Sequence, residues 1–138
     1  MAALIYAARA PDCPFEVVLV TGDRPTAPGL ALAEAEGVAV ARLDCSDKAD
    51  LFARLDQALR DASADHVALA GFMRIIPADF IARWAGRIVN IHPSLLPRYK
   101  GLDTHAQAIA AGDRVAGCSV HVVTAEVDSG ELLGQTEV

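Results

Sequence analysis

Apolar and polar positions along the chain fall into two alternating patterns. Continuous apolar runs rich in valine and isoleucine predict buried strands, and apolar positions three and four residues apart predict helices. The predicted strands are residues 15–21, 38–42, 66–70, 87–89, 116–123 and 131–138. The predicted helices are residues 1–10, 28–37, 48–61, 77–86 and 104–112. Because strands alternate with helices, we predict an α/β fold, a doubly wound and mostly parallel sheet with helices on both faces.

The helical segments also predict their own ends and buried faces. Pro28 suits the first position of its helix, and Gly37 suits the position after the end. Ser46 or Asp47 is expected to cap the third helix, and the segment from Thr104 to Gln107 matches a capping box. The expected buried faces are Leu4, Ile5 and Ala8 in the first helix, Leu30, Ala31 and Ala35 in the second, Leu51, Phe52, Leu55, Ala58 and Leu59 in the third, and Phe80, Ile81 and Trp84 in the fourth.

Candidate chemistry is concentrated in the stretch from Asn90 to Gly101, directly after the strand at 87–89. Asn90 and His92 are two residues apart, so their side chains are expected on one side of the strand. Ligands of open α/β sheets bind just outside the carboxyl ends of strands. An amide donor and an imidazole at that place could stabilise the oxyanion of an acyl transfer. The plain alternative is that Asn90 caps a turn and His92 is a satisfied histidine at a strand end.

Composition and charge narrow the classes of partner. The chain has 138 residues, 53% hydrophobic and 22% charged, which predicts one compact domain over residues 1–138. Its net charge of −6 argues against a nucleic-acid partner, which would favour a basic face. No apolar run approaches the roughly 18 residues of a membrane span. The three cysteines, Cys13, Cys45 and Cys118, lack zinc or C-x-x-C spacing, so we expect free thiols in a reducing cytoplasm.

The central stretch and three further motifs resemble the glycinamide ribonucleotide formyltransferase family. The motifs are Asn90 to His105, Ala70 to Ile76 upstream, Gly117 to His121, and Asp128-Ser129-Gly130. The resemblance implies a Rossmann-like formyltransferase domain. It also implies transfer of a formyl group from 10-formyltetrahydrofolate to the primary amine of glycinamide ribonucleotide, in purine biosynthesis. The implied partners are these small molecules, without metal, nucleic acid or membrane.

The resemblance also implies the site residues. Asn90 and protonated His92 would stabilise the oxyanion, while Asp128 would favour the charged form of His92 and assist proton transfer. Without the resemblance, Asp128 is a turn residue. The folate-binding residues implied are Lys48, Phe72, Met73, Arg74, Ile75, Ile76 and Asn90. Their alternatives are a solvated surface lysine at position 48 and a packed strand-to-helix connection at 72–76.

Two further features of the central region are its histidines and the Leu96-Pro97 bond. A zinc site of His92, His105 and His121 is not expected, because no carboxylate or thiolate has convincing spacing to them. We expect His105 in the first turn of its helix, facing the site, and His121 on a strand behind it. The resemblance suggests a cis peptide bond at Leu96-Pro97.

The chain departs from the family pattern at both ends. The family begins with one more strand and a Gly-x-Gly-Ser-Asn loop whose backbone N–H groups hold the substrate phosphate, and it ends with a further helix. We expect a longer native protein, with the additional strand between residues 15–21 and 66–70. A formyltetrahydrofolate hydrolase and a non-catalytic folate-binding fragment are the alternatives. The related methionyl-tRNA formyltransferases are disfavoured, because an acidic chain suits a polyanion poorly.

Overall fold

The computed structural model describes residues 1–45 and 47–138, which form two compact units. The units are Met1–Ala64 and Asp65–Val138. Each contains strands interleaved with helices, so the predicted α/β class is confirmed.

The N-terminal unit contains a two-stranded parallel sheet and three helices. The elements are α1 (Ala2–Ala7), β1 (Val20–Gly22), α2 (Pro28–Ala35), β2 (Val40–Arg42) and α3 (Lys48–Asp61). Val20 pairs with Val40 and Gly22 with Arg42. The cluster of Ile5, Val20, Leu30 and Ala33 fills the space between α1, α2 and the sheet.

The third helix forms as its sequence predicts, because its signals are local. The Asp47 carboxylate accepts hydrogen bonds from the backbone N–H groups of Ala49 at 2.7 Å and Asp50 at 3.0 Å. This satisfies two of the N–H groups that a helix start leaves without partners. The predicted stripe is buried at Leu51, Phe52, Leu55 and Leu59, and half-buried at Ala58. Ser46, the other predicted cap, lies outside the described residues.

Three other predictions in this unit were wrong in extent or face. The first helix ends at Ala7 and buries Ile5, while Leu4 is 38% exposed. The second helix buries Leu30 and Ala33 rather than Ala31 and Ala35, which are exposed. Its two buried residues are three positions apart, the spacing of one helix face. The first strand is confined to Val20–Gly22, the length over which β2 supplies a paired partner.

The C-terminal unit contains a four-stranded sheet in sequence order. Its elements are β3 (Val67–Leu69), α4 (Ala78–Arg83), β4 (Ile88–His92), α5 (Thr104–Ala110), β5 (Gly117–Val122) and β6 (Leu132–Glu137). Strands β3 and β4 are parallel, whereas β4–β5 and β5–β6 are antiparallel. The sheet is therefore mixed, with the parallel part at β3–β4.

The predicted capping box of α5 was wrong. The N-cap residue is Asp103, in the left-handed conformation at φ 56°. The Thr104 hydroxyl donates instead to the Pro93 carbonyl at 2.7 Å, and the Gln107 amide donates to the Leu102 carbonyl at 2.8 Å. Thr104 therefore ties the helix start to the central stretch. Across the part of the chain that the structure describes, no helix combines the length and apolarity needed to cross a membrane.

Candidate active site

Four polar side chains lie together on one face of the sheet, where β4 and β5 pair. Asn90 lies opposite His121 and His92 lies opposite Ser119. Directly opposed residues share a sheet face, as do residues two apart on one strand. The predicted common orientation of Asn90 and His92 is confirmed, because both contact the same small group of side chains.

Asp128 reaches this face from the loop between β5 and β6. It adopts a left-handed backbone conformation, φ 49°, which is uncommon for residues other than glycine. Its Oδ2 accepts the Gly101 backbone N–H at 2.9 Å. Two residues later, a Cβ atom on Gly130 would collide with the Val122 carbonyl. Glycine at 130 therefore lets the loop close against β5 and holds Asp128 over the sheet.

Both ring nitrogens of His92 face acceptor oxygens. Nε2 lies 2.8 Å from the Tyr99 carbonyl oxygen, and Nδ1 lies 3.4 Å from Asp128 Oδ2. A carbonyl oxygen accepts but cannot donate, so Nε2 carries a hydrogen. A protonated ring would satisfy both contacts at once. The ring is 5% exposed and the Asp128 side chain 10% exposed, so water competes little for either.

His121 belongs to the site itself, and the prediction that it lies behind the site was wrong. Its Nε2 is 3.3 Å from Asn90 Nδ2 and 3.4 Å from Asp128 Oδ1. Its Nδ1 is 3.0 Å from the Val122 carbonyl and therefore carries a hydrogen. A neutral His121 accepts the Asn90 amide hydrogen, and a protonated one donates to Asp128. Antiparallel pairing of β4 with β5 would have located it, but the sequence alone does not set that register.

The turn at 94–99 supplies the carbonyl that faces His92. It contains the cis Leu96-Pro97 bond that the resemblance suggests. Inside the turn, the Ser94 hydroxyl donates to the Arg98 carbonyl at 2.6 Å and lies 3.2 Å from that of Tyr99. Tyr99 has a left-handed backbone, φ 55°, and its carbonyl faces His92 while its hydroxyl binds Asp113.

A bracket of Arg98, Tyr99 and Asp113 holds the end of this turn. The Tyr99 hydroxyl donates to Asp113 Oδ2 at 2.7 Å, and Arg98 donates to Oδ1 at 2.7 Å. The Tyr99 hydrogen bond, followed by that of Arg98, lowers the pKa of the Asp113 carboxyl. The same bond to Asp113 raises the pKa of Tyr99, with burial adding to it. The pKa of Arg98 is raised by its bond to Asp113.

The segment at 72–76 follows the carboxyl end of β3. Since Leu69 pairs with Asn90 in parallel register, this segment leaves the sheet at the edge where Asn90 lies. Met73 is 70% exposed and Ile75 is 74% exposed. Large apolar side chains with that exposure can line a ligand site. Phe72 and Ile76 are half-buried and Arg74 is exposed.

Two other residues were predicted at the site, Lys48 as a folate contact and His105 as a residue that faces the site. Lys48 is the exposed first residue of α3, in the N-terminal unit. His105 is exposed in the first turn of α5. Among residues 1–45 and 47–138, no three histidine, cysteine or acidic side chains are arranged to hold a metal ion.

Known formyl transferases are similar to this chain along its whole length. The family model described as "Formyl transferase" matches residues 1–138. A trifunctional purine biosynthetic protein adenosine-3 of Gallus gallus is 39% identical over 99% of this chain. The phosphoribosylglycinamide formyltransferase of Haemophilus influenzae is 37% identical over 98% of it. The chain spans 14% of the first protein's length and 65% of the second's.

A solved structure agrees in fold as well. The crystal structure of phosphoribosylglycinamide formyltransferase from Brucella melitensis superposes with a TM-score of 0.92 at 46% sequence identity. The superposition covers 99% of this chain and 71% of that one.

Proposed function

Because the chain belongs to the formyl transferase family, we propose that it transfers a formyl group from 10-formyltetrahydrofolate to the primary amine of glycinamide ribonucleotide. The observation that carries the proposal is the cluster of Asn90, His92, His121 and Asp128, in which both histidines are buried. In this reaction a carbon–nitrogen bond forms to the amine and the bond to N10 of the folate breaks. One proton passes from the amine to N10, so the reaction needs an oxyanion stabiliser and a proton route.

Asn90 and His92 supply the donors for the oxyanion. When the amine attacks the formyl carbon, negative charge develops on the formyl oxygen. The amide of half-buried Asn90 donates without carrying charge, and the protonated ring of His92 donates with charge. The His92 Nε2–H is directed at the Tyr99 carbonyl, so the oxyanion would share this hydrogen in a three-centre bond. Such donors are held in place before the reaction, which is what makes them effective.

Asp128 and the two histidines supply the proton route. Each Asp128 oxygen lies 3.4 Å from a histidine nitrogen, one on His92 and one on His121. The carboxylate can accept the proton that the attacking amine releases and pass it between these rings. His92 then donates a proton to the N10 leaving group, so the proton lost by the amine is balanced by the one that N10 gains.

The folate would bind at the edge of the sheet that carries Asn90. The residues proposed to contact it at this edge are Phe72, Met73, Arg74, Ile75, Ile76 and Asn90. Exposed Met73 and Ile75 suit the faces of a flat pterin ring, and backbone N–H and C=O groups that follow a strand suit its amide-like rim. The proposed partners are the two small-molecule substrates, with no metal, nucleic acid or membrane. Three unpaired cysteines support a reducing cytoplasm as the place of action.

The proposal is tested by tracking the formyl carbon from donor to product. We expect that the protein, given glycinamide ribonucleotide and 10-formyltetrahydrofolate labelled with carbon-13 in the formyl group, produces a formamide signal in the NMR spectrum. Omission of the amine is the control, and it should leave the label on the folate. Formate release at the same rate with and without the amine would contradict the proposal and identify a hydrolase. Folate binding measured by calorimetry without any turnover would identify a non-catalytic binding protein.

A further inference from the structure

One line of polar residues crosses three strands behind the turn at 94–99. His92 on β4 lies opposite Ser119 on β5, and Ser119 lies opposite Gln135 on β6. Opposed residues share a sheet face, so Ser119 and Gln135 continue the face on which His92 sits. The side chains of Ser119 and Gln135 form hydrogen bonds with the turn and with each other, and the function above does not use them.

Ser119 and Gln135 together hold the backbone of the turn. Ser119 is fully buried, and its hydroxyl donates to the Ser94 carbonyl at 2.6 Å while accepting the Leu96 N–H at 3.0 Å. Gln135 Nε2 donates twice, to the Leu96 carbonyl at 2.8 Å and to the Ser119 hydroxyl at 2.8 Å. Both backbone groups of Leu96 are therefore satisfied by this pair, which we name the Ser119–Gln135 clamp.

Hydrogen bonds within the turn connect the clamp to the imidazole of His92. Ser94, whose carbonyl Ser119 holds, binds the Arg98 carbonyl at 2.6 Å through its own hydroxyl. The next carbonyl, that of Tyr99, is the acceptor for His92 Nε2 at 2.8 Å. Each of these contacts is a short hydrogen bond to a backbone carbonyl of the turn. A displacement of Leu96 would therefore shift the Tyr99 carbonyl, three residues further along the same turn. That carbonyl sets the direction of the Nε2–H.

We infer that Gln135 is a positioning residue for the proposed formyl transfer, acting through the turn at 94–99 to orient the His92 ring. The inference rests on the proposed function for its effect on rate, and on hydrogen-bond geometry for its effect on His92. A ring displaced by a fraction of an ångström presents its N–H off the path of the developing oxyanion. Misplacement of this kind lowers rate more than substrate binding.

Gln135 suits a clean test, since β6 is exposed along its whole length. Replacing a side chain there removes no packed core. Gln135→Met keeps length and volume but removes both N–H donors, and Gln135→Glu keeps the shape while replacing the donor by an acceptor. Thr136→Ala is the matched control, as Thr136 is the next residue on the same exposed strand and points to the other face.

The experiment combines steady-state kinetics with proton NMR of the His92 Nε2–H, which we expect to be protected from exchange while it binds the Tyr99 carbonyl. We expect both Gln135 variants to fold, to lose kcat on the order of ten-fold with KM for the amine almost unchanged, and to lose the protected Nε2–H signal. Thr136→Ala should match the wild-type protein in both measurements. Wild-type kcat in both variants, or reduced kcat with the Nε2–H signal intact, would overturn the inference. If the wild-type protein transfers no formyl group, the proposed function fails, and the NMR signal alone then decides whether the clamp orients His92.

Discussion

At the residue scale, Asp128 ties the site together because each of its oxygens faces a different histidine. Asp128→Asn keeps the shape but turns one oxygen into an N–H₂ donor, which cannot accept a proton from either ring. We expect the variant to fold and kcat to fall by at least about 10², from lost transition-state stabilisation. Steady-state kinetics beside a thermal melt would measure both effects. Near-normal turnover would show that the proton route does not pass through this carboxylate.

His121 makes a second, independent prediction at this scale. His121→Phe keeps a ring of similar size but removes the partner of Asn90 Nδ2 and Asp128 Oδ1. Because both groups then lose a polar partner inside the cluster, we expect kcat to fall about ten-fold or more. His66→Phe is the matched control, since His66 is exposed directly before β3 and its replacement should leave kcat unchanged. Equal rates for the two variants would remove His121 from the site.

The site residues differ in how well the sequence predicts them. Asn90 and His92 follow from the alternation of side chains along a single strand, which is a local property. Asp128 follows from the resemblance, because its approach depends on a loop that closes only where Gly130 leaves room. His121 could not be placed, since its position opposite Asn90 depends on which strand pairs with β4 and in what register. The proposed folate contacts remain predictions.

At the element scale, one side chain caps and stabilises the start of α3. Asp47 accepts two backbone N–H bonds at 2.7 and 3.0 Å, so Asp47→Ala should lower the free energy of unfolding by about 0.5–2 kcal/mol. Asp47→Asn retains the acceptor and should retain most of the stability. Urea unfolding of the three proteins would measure the difference. Equal midpoints for Asp47→Ala and the wild-type protein would show that the cap contributes nothing.

The bracket of Arg98, Tyr99 and Asp113 predicts a pH dependence. The pKa of Asp113 is lowered in the folded protein, chiefly by the Tyr99 hydrogen bond. Its contribution to stability is therefore present above the ordinary aspartate pKa of about 3.9 and is lost as pH falls through the lowered value. We expect Asp113→Asn to melt at a lower temperature at pH 7 and the difference to shrink below about pH 4. A difference that is constant across this range would contradict the assignment.

Elements were predictable where their signals are local. The helix at 48–61 has its cap and its apolar stripe within its own sequence, and the structure reproduces its bounds. The cap of α5 was wrong because the Thr104 hydroxyl binds the Pro93 carbonyl, a partner outside the helix. Most strands are shorter than their predicted runs, as at β1, because a ladder extends only as far as the neighbouring strand pairs with it. Strand β4 is the exception, because its pairing with β5 continues beyond the predicted end at residue 89 to His92.

At the scale of the whole molecule, alternation of strands and helices predicted the fold class, and the pairing of β3 with β4 follows it. The antiparallel strands β5 and β6 do not follow from alternation. A short loop without a helix joins them, which permits an antiparallel hairpin. That hairpin carries His121 and Asp128 to the face of β4, so the part of the topology that was hardest to predict completes the site.

The central claim is that formyl transfer depends on the imidazole of His92. The most direct test is the single-turnover rate of formyl transfer from carbon-13-labelled 10-formyltetrahydrofolate to glycinamide ribonucleotide, measured for the wild-type protein and His92→Ala under saturating substrates. Saturation removes differences in binding, and His66→Ala controls for loss of a histidine elsewhere. We predict that His92→Ala slows the chemical step by at least about 10² while His66→Ala leaves it unchanged. A His92→Ala rate within a factor of about two of the wild-type rate would contradict the account.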